Sequence, residues 1–184
     1  MAPDSDSATF LAQMFEKLTD ARFINRIGGF PATYEGLRGI LQGNKSRKST
    51  LDTLGSIMVY SMIAYYPIEH IWYLSTFNKS VIKIDSNKWS RWSCQFWSIY
   101  ILADLASTYI RERKLTHEAE KTQSTETIKQ RDTLRWGYTV ILADLVMALH
   151  WSVENGPITN NQICFVGVYG GIVNLWLKWK KMGV

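Results

Sequence analysis

Residues 158–177 read ITNNQICFVGVYGGIVNLWL, a run of 20 residues without one formal charge. A helix needs about 20 mainly apolar residues to cross a bilayer, so this run is the strongest membrane-spanning candidate in the chain. Gly167 and Gly171 stand four apart within it, a small-xxx-small pair that lets two helices approach closely. Next come Trp176, Lys178, Trp179, Lys180 and Lys181, an aromatic and basic collar of the kind found where a helix leaves a membrane. The turn Glu154-Asn155-Gly156-Pro157 precedes the run.

Toward the N-terminus the pattern of apolar run and polar connection repeats. Trp136 to Val153 is apolar except for Asp144 and His150. Trp89 to Ile110 is interrupted by Arg91 and Asp104, and Arg111-Glu112-Arg113-Lys114 closes it. Leu51 to Asn78 carries only Asp52 and Glu69 as formal charges, with Pro67 as a potential kink. Strand alternation is weak throughout, so the chain reads as all-α. We expect a helical integral membrane protein with N-terminal amphipathic helices and hydrophobic helical hairpins. Residues 1–8 read as disordered and 9–184 as one helical membrane domain. Within it, 9–50 is an amphipathic interfacial region, and 51–110 and 136–177 are hydrophobic helix pairs. Residues 111–135 form a charged helix or linker, and 178–184 a basic tail.

The pentapeptide ILADL occurs twice, at Ile101–Leu105 and Ile141–Leu145. A carboxylate at the bilayer centre is costly unless paired or hydrated. Arg91, His150 and the Arg111 cluster are candidate partners. We read Asp104 and Asp144 as helix-packing or interfacial residues rather than a proton relay, although chance identity also accounts for the repeat. Glu69 and His70 are adjacent, and on a helix they point about 100° apart. Without a third group at triad spacing, a structural polar anchor is the better reading than an acid–base pair.

From Thr9, a plausible N-cap, apolar residues recur at helical steps: Phe10, Leu11, Met14, Phe15, Leu18, Ala21, Ile24 and Ile27. Gly28-Gly29 breaks this helix. Pro31 can start a second one, with Tyr34, Leu37, Ile40 and Leu41 on one face. Lys45, Arg47 and Lys48 form a basic linker. Two readings stay open. Either the helices pack on the protein's own core, or they lie in one leaflet with that linker at anionic head groups.

Composition fits a lipid partner. The net charge is +5, and eight Trp and nine Tyr are many for 184 residues. A mean hydropathy of -0.12 is low for a polytopic protein, but the charges are segregated into a few stretches. Aromatics lie inside apolar runs rather than among Lys and Arg, so a lipid surface fits better than nucleic acid. Cys94 and Cys164 lack metal-ligand spacing, and His70, His117 and His150 are scattered, so neither metal nor cofactor is expected. Gly28-Gly29 and Gly170-Gly171 lack the strand context of a phosphate loop. The polar N-terminus has no basic n-region, so no secretory signal peptide is expected. Lys and Arg concentrate in the 45–48 linker, the 111–135 segment and the tail, which places those three on the cytosolic side. The same pattern accommodates one or two spans with the other helices interfacial.

The stretches YPIEHIWYL (66–74) and WSRWSCQFWSIY (89–100), a charged segment and a glycine-bearing C-terminal helix follow one another in an order that resembles the peroxin-11 family, closest to its fungal branch. Ile68 stands where the family often has Leu, and the likeness covers roughly residues 20–180. The resemblance implies a non-enzymatic peroxisomal membrane protein that elongates the membrane and prepares it for fission. It also implies self-association, recruitment of fission machinery, and recognition by an import receptor for peroxisomal membrane proteins. The chain departs from the family pattern in its length and in the Gly28-Gly29-Phe30-Pro31 break. An alternative function is a small-solute channel lined by Glu69, Asp104 and Asp144.

Overall fold

The computed structural model describes residues 5–43, 49–122 and 125–182. They form α1 (Ser5–Arg26), a 3₁₀ turn (Ile27–Gly29), α2 (Phe30–Gln42), α3 (Thr50–Phe77), α4 (Ser86–Thr122), α5 (Thr125–Ser152) and α6 (Asn160–Lys181). Among the described residues there is no strand, in keeping with the all-α reading. Two helices start on capping boxes. Ser49 Oγ accepts from the Asp52 amide at 3.2 Å, and the Asp52 carboxylate accepts from the Ser49 amide at 2.9 Å. Thr159 and Gln162 make the equivalent exchange at the start of α6. The connection between α3 and α4 is tied by the Asn78 side chain, which accepts from the Ser80 amide at 2.9 Å.

α1 begins at Ser5, within the stretch expected to be disordered, of which residues 1–4 lie outside the described residues, and Thr9, the expected N-cap, lies inside the helix. Gly28-Gly29 separates two helices as expected, α1 ending at Arg26 and α2 starting at Phe30 next to Pro31. It forms one tight turn, with Gly29 in the right-handed region at φ -81° and ψ -20°. Close approach explains the glycine, because a Cβ on Gly29 would lie 2.2 Å from the Tyr66 hydroxyl. Of the two readings of the charged 111–135 stretch the helical one holds for the described residues, which are the end of α4 and the start of α5. α4 runs 37 residues, about 55 Å. Arg135 on α5 donates to Glu112 on α4 at 3.1 Å, and Ala119 is buried.

The expected spanning helix is corrected as well. Among the described residues no helix is long and apolar enough to cross a membrane. α6 has the length, about 33 Å, but Asn160, Asn161, Gln162, Asn174 and three glycines dilute its apolar residues.

Helices pack in chain order: α2 on α3, α3 on α4, α4 on α5 and α5 on α6. Among the described residues no other helix pair shares a backbone interface of comparable extent, so the helices form an open row rather than a closed bundle. Between them lie mainly small side chains, including Ala103, Ala143, Ala148, Ser75, Ser98 and Ser152. The serine hydroxyls are satisfied locally. Ser98 donates to the Cys94 carbonyl at 2.8 Å and Ser152 to that of Ala148 at 2.6 Å. Large apolar residues point outward instead, among them Leu102, Leu142, Leu149, Phe165, Ile172 and Leu175. Both ILADL copies follow this rule, with Ala103 and Ala143 buried and Leu102 and Leu142 exposed. Small residues between helices and large ones outside is how helices pack when an apolar medium surrounds them.

Candidate functional site

α1 docks on α3 through one face near its C-terminus. Asp20, Phe23 and Arg26 recur three residues apart, which places them along one side of the helix. Tyr73 donates to Asp20 at 3.1 Å. Phe23 stacks on Tyr73, with ring centroids 4.8 Å apart, and meets the edge of Trp72 at 5.3 Å. Arg26 donates to the Tyr65 hydroxyl at 2.9 Å and forms an ion pair with Glu69 Oε1. Tyr65 donates to the same carboxylate oxygen from one turn earlier on α3. Burial raises the Tyr65 phenol far above its ordinary value despite the pull of Arg26. Glu69 is only 3% exposed, and its Oε2 has no hydrogen-bond partner among the described residues.

This cluster is the floor of a cavity of about 420 Å³ between α1, α3, α4 and the α5–α6 connection. Glu69 and Trp72 come from the YPIEHIWYL stretch, and Ser93, Cys94 and Trp97 from WSRWSCQFWSIY. The two stretches on which the family resemblance rests thus face one space. Sequence reading missed Arg26 as the partner of Glu69. The usable signal was that Glu69 is the sole formal charge between Asp52 and Lys79, and a lone buried carboxylate requires a cation from elsewhere in the chain. Cys94 and His150 both line the cavity, yet burial pushes the Cys94 thiol up to about 11, the opposite of an activated nucleophile. In a Cys164→Ser variant, alkylation of Cys94 is therefore expected to be slow at pH 7 and to accelerate about tenfold per pH unit up to pH 10. A rate that levels off near pH 8.5 would refute the raised value.

The expected membrane face divides. On α1, Phe10, Met14, Leu18 and Ile24 are exposed, as is Ile27 in the 3₁₀ turn. Leu11 and Phe15 lie on α1, but their side chains fall outside the described part. At about 100° per residue, Arg22 falls between Leu11 and Phe15, and Lys17 between Ile24 and Phe10, so the polar and apolar residues of α1 are poorly segregated. In α2 the segregation is clear. Leu37 and Ile40 are half-buried toward α3, where a Cβ on Gly36 would meet Val59 at 3.1 Å. Phe30, Tyr34 and Leu41 stay open, Leu41 at 72% exposure. Lys45, Arg47 and Lys48 lie outside the described residues.

The small-residue contact is also redistributed. A Cβ at Gly167 would meet Met147 at 3.3 Å and one at Gly170 would meet Ala143 at 3.3 Å, whereas Gly171 faces open space. Gly170 therefore takes the place expected of Gly171 in packing α6 on α5. The registry differs because the inner face of α6 runs through Ile163, Gly170 and Val173.

His70 donates Nδ1–H to the Tyr66 carbonyl at 2.7 Å, while its Nε2 is buried without a partner among the described residues. It lies in an apolar groove with Ile24, Ile27, Phe30 and Leu74, away from any acid–base partnership. Asp104 and Asp144 are half-buried and make no ion pair among the described residues. Desolvation raises both above the usual carboxylate range, Asp104 against the pull of Arg111 and Asp144 against that of Arg22 and Arg26. Neither lines the cavity that holds Glu69, so the three carboxylates do not share one polar path. The other cations proposed for the aspartates are engaged elsewhere. Arg91 pairs with Glu154 at 3.6 Å, and His150 packs against Gly156.

No curated protein and no solved structure matches the chain. The family model of Peroxisomal biogenesis factor 11 (PEX11) matches residues 2–179. That span takes in α1 through nearly all of α6, including both stretches that converge on the Glu69 cavity, so the chain belongs to the PEX11 family and is a peroxisomal membrane protein.

Proposed function

We propose that the chain elongates the peroxisomal membrane ahead of fission by inserting an apolar helix edge into one leaflet, and that it does so without catalysing a reaction. The observation that carries this reading is the open edge of α2. Phe30, Tyr34 and Leu41 are exposed next to the polar face of Glu35 and Arg38. Insertion of such an edge expands one leaflet and favours curvature. The apolar outer face of α6, with Phe165, Val168, Ile172 and Leu175 followed by Trp176 and Trp179, supports attachment from one side of the membrane. Lys45, Arg47 and Lys48 add attraction to anionic head groups. Self-association through exposed helix faces, contact with fission machinery and capture by a membrane-protein import receptor complete the proposal.

The test uses the purified full chain on anionic liposomes. Tyr34→Asp/Leu41→Asp is expected to abolish tubulation while circular dichroism stays that of the wild type. Leu11→Asp/Phe15→Asp/Leu18→Asp in α1 is expected to weaken it less, because α1 is the poorer amphipath. Full tubulation by the α2 variant would reject α2 as the wedge.

A further inference from the structure

The cavity above Glu69 contains groups that membrane shaping does not use. Its volume of about 420 Å³ falls in the range of small-ligand pockets, roughly 300–1,000 Å³. At its floor Glu69 Oε1 takes both Arg26 and Tyr65, and the buried Oε2 has no partner among the described residues. Leaving a buried carboxylate oxygen unpaired is costly, so the site calls for a donor. Trp72, Trp97 and Trp151 line the walls, the last two stacked at 6.5 Å. His150 Nδ1 is a second buried atom without a partner among the described residues. A Cβ at Gly156 would lie 2.0 Å from it, so the glycine leaves the room that this ring occupies. Toward solvent stands Arg22, exposed and without an ion pair among the described residues. The other charges are matched, Arg26 by Glu69 and Glu154 by Arg91.

The geometry points to a ligand with a primary ammonium at one end and a phosphate at the other, the chemistry of a phosphoethanolamine group, free or carried on a lipid. Three indoles line the cavity that also holds Glu69, and aromatic rings attract an ammonium. An unpaired acceptor selects one that still has N–H bonds, which excludes a quaternary amine. A guanidinium at the mouth suits a phosphate, which it grips through two parallel hydrogen bonds. Arg22 precedes Arg26 by one helical turn, about 6 Å between side-chain bases, comparable to the reach of a two-carbon link between amine and phosphate. This inference goes beyond membrane shaping and does not rest on it.

The test measures binding by the full chain in phosphate-free detergent buffer. Titration calorimetry with glycerophosphoethanolamine and glycerophosphocholine is the first arm. Flotation with phosphatidylcholine vesicles, with or without phosphatidylethanolamine, is the second. The ethanolamine compound is expected to bind at least about tenfold more tightly than the choline compound. Glu69→Gln and Arg22→Ala should each weaken it by about tenfold or more. Ser90→Trp, which fills the cavity from a half-buried wall and leaves Arg26 and Glu69 themselves unchanged, should abolish it. If Glu69→Gln fails to fold, the other two variants decide. Binding in the first arm assigns a soluble headgroup as sufficient. Ethanolamine-dependent flotation alone, lost in the same variants, assigns the lipid. Equal affinity for choline and ethanolamine, binding unchanged in Ser90→Trp and Arg22→Ala, or no binding in either arm overturns the proposal. Tubulation by these variants reports separately on membrane shaping.

Discussion

Replacing Glu69 by alanine is expected to destabilise the protein by about 3 kcal/mol, the low end for breaking a buried ion pair. Glu69 is almost fully enclosed, and its loss strands Arg26 and Tyr65 together. The Arg26 side chain keeps 33% of its surface in solvent, which moderates the penalty. The loss is one of desolvation more than of attraction. Arg26→Met/Glu69→Met is therefore expected to regain most of the stability, because an apolar pair leaves no buried charge unmatched. Unfolding of the wild type and both variants in one detergent, followed by circular dichroism, measures the two differences. If the double variant is as unstable as Glu69→Ala, the desolvation account fails and specific hydrogen bonding is what α1 needs to dock.

The second large effect lies between α5 and α6. Gly170→Leu is expected to cost about 3 kcal/mol, the upper range for overfilling a packed contact. The first added carbon already meets Ala143 at 3.3 Å, so the remaining carbons must push the helices apart. Gly171→Leu, one residue on, points into open space. It is expected to be neutral or to stabilise by up to about 1 kcal/mol, because leucine is the better helix former. Unfolding midpoints for the two variants separate these cases. Limited proteolysis in the 153–159 connection should show α6 released only in Gly170→Leu. Equal damage from both variants would mean that α6 packs on its other face as well.

Periodicity made the helices legible. The apolar runs from Leu51, Trp89, Trp136 and Ile158 mark α3 through α6, although α4 continues well past Ile110 to Thr122 and α5 already starts at Thr125. Two things escaped for physical reasons. Charge density at 111–135 left helix and linker both open, and the mixed-sign charges stabilise exposed helix ends, as α4 and α5 use them. Absence of charge at 158–177 read as a membrane span, yet polar amides and glycines carry no charge and still lower the gain from leaving water. The site was half legible. Glu69 stood out as isolated, but its partner lies 43 positions away on α1, and no local spacing encodes a contact of that range. The choice between Gly170 and Gly171 was beyond the motif, since the inner face of α6 is set by Ile163 and Val173 and not by the four-residue spacing of the glycines.

The open row has a consequence for how the protein comes into being. Each helix rests mainly on the one made just before it, so most interfaces join neighbours in time as well as in space. Low contact order of this kind favours fast, stepwise assembly. α3 and α4 can close as a hairpin before α5 exists, and α6 adds last to a finished edge. The Arg26–Glu69 clasp between α1 and α3 is the longer-range closure, and it too is complete once α3 has formed. Among the described residues no extended interface joins the last helix to the first, so the nascent chain can settle onto a membrane one hairpin at a time.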